Sequence, residues 1–68
     1  MSIRKILLEQ LRKRCPGLAV REEDLWDILP ASQGLTIILN DGAVLPLPIG
    51  EGAARQLLHS WSVEARQN

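Results

Sequence analysis

Phenylalanine and tyrosine are absent from this chain, and Trp26 and Trp61 are its only aromatics. A packed interior must therefore be built mainly from Leu, Ile, Val and Ala, and the aromatic platform that stacks single-stranded nucleic acid is missing. Cys15 is the single cysteine and His59 the single histidine. An internal disulfide is excluded, and a zinc centre is short of ligands. There is no apolar run of about 18 residues and no hydrophobic leader before a cleavage site, so a soluble protein of the reducing cytoplasm, with no membrane association, is expected.

Net charge is zero, which removes a global field for nucleic acid but hides a strong asymmetry. Arg4, Lys5, Arg12, Lys13, Arg14 and Arg21 are basic and only Glu9 is acidic before residue 22. From residue 22 to residue 51 the acids Glu22, Glu23, Asp24, Asp27, Asp41 and Glu51 have no basic counterpart. The two parts of the chain are expected to attract, within the fold or across an interface.

A chain of 68 residues and 7.6 kDa buries only about 60% of its extended-chain surface. One domain over residues 1–68 is expected, with a marginal core that benefits from a partner. Ser2 is a helix cap and Pro16-Gly17 a stop, which frames a first helix over residues 3–14. Its apolar positions Ile3, Ile6, Leu7, Leu8 and Leu11 spread over more than half of the circumference. Arg12, Lys13 and Arg14 complement the carboxyl end of the helix dipole, a local role that requires no phosphate ligand.

The segment Leu35–Ile49 reads as a β-hairpin turning at Asp41-Gly42 in a two-residue loop. In that register Thr36, Ile38, Leu45, Leu47 and Ile49 share one face, while Leu35, Ile37, Leu39, Val44, Pro46 and Pro48 share the other. Neither face is polar, and each needs a cover. Pro46 and Pro48 remove N–H donors from the outer edge and mark a protected edge strand. Residues 18–29 fit either a helix or extended pieces. A strand ending at Pro30 is preferred, because it shields the open side of the hairpin. A final helix over roughly Glu51–Trp61 brings Ala54, Leu57, Leu58 and Trp61 onto one stripe, and residues 62–68 are expected to form a flexible tail. The fold class is α+β: a small antiparallel sheet of two or three strands packed against amino- and carboxy-terminal helices.

No set of residues has the spacing of a catalytic site. Cys15 and His59 lie on different expected helices and lack an orienting third group, and the glycines do not form a phosphate loop. A noncatalytic interaction module is therefore the leading expectation, a small regulator or inhibitor that needs no cofactor and acts by surface occupation. Trp26 interrupts an acidic run and reads either as a core residue or as an interface anchor rimmed by Asp24 and Asp27. Leu35, Ile37 and Leu39 join this surface if helix cover is incomplete. The expected partner is a second copy, another protein, or both. A nucleic-acid-binding protein using the basic first helix and a very small enzyme using Cys15 or His59 are the alternatives.

Overall fold

The computed structural model describes the backbone of residues 2–66 and the side chains of residues 2–64. Its elements follow the order α1 (Ile3–Arg14), a single 3-10 turn (Glu22–Asp24), β1 (Leu25–Ala31), β2 (Gly34–Leu39), β3 (Val44–Leu47) and α2 (Glu51–Arg66). The three strands form one antiparallel sheet in the order β1-β2-β3. The fold is α+β, and β1 supplies the third strand that the open side of the hairpin requires.

Ser2 accepts the Lys5 N–H at 3.2 Å and starts α1. At the other end the Cys15 N–H donates to the Leu11 carbonyl at 2.8 Å before Pro16 ends the helix. Ile3, Leu7, Leu8 and Leu11 are buried by this helix, and they pack with Leu25, Ile28, Leu35, Ile37, Leu39, Leu47 and Ala54 in one core. Among the described residues no polar side chain is buried. Burial of this aliphatic surface is the main stabilising term, at roughly 25 cal/mol per Å².

The two helices run antiparallel over the same side of the sheet. At one end the Arg4 guanidinium stacks 4.5 Å from the Trp61 ring centroid, and Glu64 accepts the Ile3 N–H at 2.8 Å. At the other end Arg14 donates to the Pro48 carbonyl, just ahead of α2, at 3.3 Å. The contact to Glu64 lies beyond the expected end of the last helix, because α2 runs to Arg66 and not only to Trp61. It joins the last turns of α2 to a free N–H in the first turn of α1. Residues 67 and 68 of the expected tail lie outside the described residues.

The hairpin also differs in register by one residue. Ile38 pairs with Val44, Ile37 with Leu45, Thr36 with Pro46 and Leu35 with Leu47. The cause is the turn. The Gly42 N–H donates to the Leu39 carbonyl at 3.0 Å and the Leu39 N–H to the Ala43 carbonyl at 2.9 Å, which closes a three-residue loop over Asn40, Asp41 and Gly42. Asp41 has negative φ, and Gly42 alone carries the positive value of 89°. This is a turn with a glycine bulge in place of the two-residue loop, which needs positive φ at both central positions. Asp41 Oδ1 accepts the Ala43 N–H at 2.9 Å and fixes the exit. The strand ends at Leu47, so Pro48 and Ile49 belong to the connection into α2.

Candidate functional site

The one-residue shift decides which side chains share a face. Leu35, Ile37, Leu39, Leu45 and Leu47 all point toward the helices, with Ile28 beside Ile37. The opposite face carries two cross-strand rows, Asp27–Ile38–Val44 and Leu29–Thr36–Pro46. Trp26 adjoins the first row because the β1–β2 register shifts between Leu25 and Asp27, leaving Trp26 as the extra residue of a bulge. Both helices lie on the inner side, and no element of the described chain covers the outer one.

Exposure agrees with this assignment. Trp26 is 66% exposed, Val44 59% and Leu29 46%, while Leu35 is 1% and Ile37 0% exposed. Val44 and Pro46, read from the sequence as sharing a face with Leu35, Ile37 and Leu39, are on the opposite side. Leu35, Ile37 and Leu39 are core residues rather than surface residues, because helix cover of the inner face is complete over them.

Asp24 and Asp27 are half-buried, and each carboxylate has a backbone partner. Asp24 Oδ2 accepts the Arg21 N–H at 3.0 Å and closes the 3-10 turn, while the Asp24 carbonyl accepts the Asn40 N–H at 2.9 Å. Asp24 therefore shapes the entry into β1. Asp27 Oδ1 accepts the Ile28 N–H at 2.8 Å. With Asp27 in the outer row beside Ile38, its carboxylate sits at the margin of the apolar patch next to Trp26.

The sheet edges are blunted. Hydrogen-bonded pairs alternate along each ladder, and the Leu39–Ala43 bond sets the phase for β3, so the missing N–H of Pro46 falls on the outward edge. On β1 the same alternation turns the Ile28 and Pro30 positions outward. Pro30 has no donor, and the Ile28 donor is taken by Asp27. Addition of a strand at either edge meets gaps in the donor row.

Other candidates for chemistry remain separate. Cys15 and His59 are both exposed. The antiparallel helix pair puts Cys15 at the Pro48 end and His59 nearer the Trp61 end, so the two do not form a nucleophile–base pair. Among the described residues no three His, Cys, Asp or Glu side chains gather as metal ligands. No helix among them is long and apolar enough to cross a membrane.

Sequence reasoning grouped Trp26 and Asp27 in a candidate surface, where the structure leaves Trp26 exposed and Asp27 half-buried, and it did not group Leu29, Ile38, Val44 and Pro46 with them. The available signal was the triplet Asn40-Asp41-Gly42, which suits a glycine-bulge turn as well as a two-residue one. The chain matches no family model, no curated protein and no solved structure.

Proposed function

We propose that this chain is a noncatalytic protein-interaction module, a small regulator or inhibitor that occupies a partner surface with the outer face of its sheet. The observation that carries the reading is the exposure of Trp26, Leu29 and Val44 on a sheet whose other face is already covered. Contiguous apolar exposure on a small protein marks an interaction site. Trp26 is the anchor, since a tryptophan entering a partner pocket contributes disproportionately to affinity. Asp27 at the margin favours a partner carrying positive charge and discriminates against acidic ones. Cys15, alone and exposed, suits the reducing cytoplasm.

A second copy of the chain is the other partner expected from the sequence. A homodimer through this face would bring the same acidic margin from both sides, because a two-fold interface uses one patch twice. Neither outer row offers a cation to pair with it, whereas a different protein can supply one. Binding of nucleic acid by α1 draws less support: Arg4 is engaged with Trp61 and the Leu25 carbonyl, and Arg14 with Gln10 and Pro48. Lys5, Arg12 and Lys13 remain on the solvent side of the helix.

The test compares Trp26→Ala combined with Asp27→Lys against Lys5→Ala combined with Arg12→Ala in capture of a protein partner by the full chain. Unchanged hydrogen exchange outside residues 22–30 establishes folding first. Selective loss with the first pair supports the reading; selective loss with the second moves the site to α1.

A further inference from the structure

We infer that the occupant of the outer sheet face is a basic amphipathic helix supplied by another protein, an inference that rests on the interaction reading above and names its partner. Two observations narrow the choice. The edge donors are missing at Pro30 and Pro46 and capped at Ile28, so an added strand is disfavoured and the partner must lie on the face. Three strands at about 4.8 Å spacing make the open face roughly 10 Å wide, which matches the diameter of one helix.

Charge selects the sign of that helix. Between Arg21 and Arg55 the chain has no cation, and on the outer face itself Asp27 stands next to Trp26; of the other acids at that end of the sheet, Glu22 accepts the Ser2 hydroxyl at 3.2 Å on the α1 side, and Asp24 and Asp41 border Leu39. Arg21 is itself paired with Glu23 at 3.3 Å. Lysine or arginine flanking an apolar stripe complements this margin, and their long aliphatic stems extend the apolar contact while their charged ends stay wet. The inner face already receives an element of this kind. α1 is an amphipathic helix with basic flanks, and its Arg4 donates to the Leu25 carbonyl at 3.3 Å. The same sheet thus presents its second face to a second helix of similar chemistry.

The experiment uses the isotope-labelled full chain and three synthetic peptides of about 18 residues, a length of ~27 Å when helical. One has a leucine stripe with lysine elsewhere, one the same stripe with glutamate, and one alternates valine and lysine to favour a strand. The expected result is saturable shifts at Trp26, Leu29, Ile38 and Val44 with the leucine–lysine peptide, at least about tenfold weaker binding of the leucine–glutamate peptide, and loss of that difference at high salt. Asp27→Asn keeps the oxygen that accepts the Ile28 N–H and should reduce the preference for lysine. Trp26→Ser, at an exposed position, should weaken binding of the leucine–lysine peptide.

Equal binding of both leucine peptides at these residues overturns the basic assignment while leaving the face an interaction surface. Preference for the valine–lysine peptide overturns the helix. Concentration-dependent shifts of the free protein at the same residues assign the face to a second copy. Shifts confined to α1 and α2, or none at millimolar peptide, overturn the inference.

Discussion

Ile38 faces Val44 on the open side of the sheet, one position along β2 from Ile37, whose partner Leu45 lies on the covered side. Adjacent isoleucines in one strand thus have opposite surroundings. Ile37→Thr should destabilise the fold by more than about 2 kcal/mol, through lost packing and a buried hydroxyl. Ile38→Thr should stay within about 1 kcal/mol, because threonine retains the β-branch at a half-exposed position. Urea unfolding midpoints check the pair, and equal shifts would contradict the assignment of faces.

Three glycines give an ordered series. A Cβ on Gly34 would meet the Leu47 carbonyl oxygen, with the Ile49 nitrogen at 2.7 Å and the Pro48 Cα at 3.1 Å. All three atoms are backbone, so Gly34→Ala should cost about 3 kcal/mol. Gly42 has open space around it but a φ of 89°, so Gly42→Ala should cost about 1 kcal/mol from backbone strain. Gly17 meets neither restriction, and Gly17→Ala should be neutral or slightly stabilising. Thermal unfolding of the three variants tests the order.

Glu64 ties the last turns of α2 to the start of α1. Glu64→Ala should lower stability by about 1 kcal/mol and speed hydrogen exchange at the carboxyl end of α2. Glu64→Gln retains an acceptor and should lose less. Undiminished protection in Glu64→Ala would show that the contact does not hold the helix end.

With a different protein as the proposed occupant of the outer face, self-association is expected to be weak. Sedimentation equilibrium should give a mass near 7.6 kDa at micromolar concentration. A mass that doubles in that range would favour a second copy over a different protein.

The fold class was legible because its signals were local: Ser2 and Pro16 bound α1, the Asp41-Gly42 turn marks the hairpin, and the Ala54, Leu57, Leu58 and Trp61 spacing marks α2. The candidate surface was only half legible. Trp26 and Asp27 could be singled out by composition, but the faces of β3 depended on whether Asn40 ended the strand or entered the loop. A one-residue difference there inverts every side chain of the strand, which is why Val44 was read with Leu35 and Ile37. The extension of α2 past Trp61 brings Glu64 to Ile3, a contact between residues far apart in the chain that no local pattern encodes.

The most direct test of the central claim is photocrosslinking from single positions, with a benzophenone side chain placed at Val44 or Leu29 on the outer face and, for comparison, at Lys13 on α1. Adducts to another protein should form from Val44 and Leu29 and should disappear in Trp26→Ser, while Lys13 yields none. Adducts from Lys13 alone, or none from the sheet positions when the partner is bound, would contradict the account.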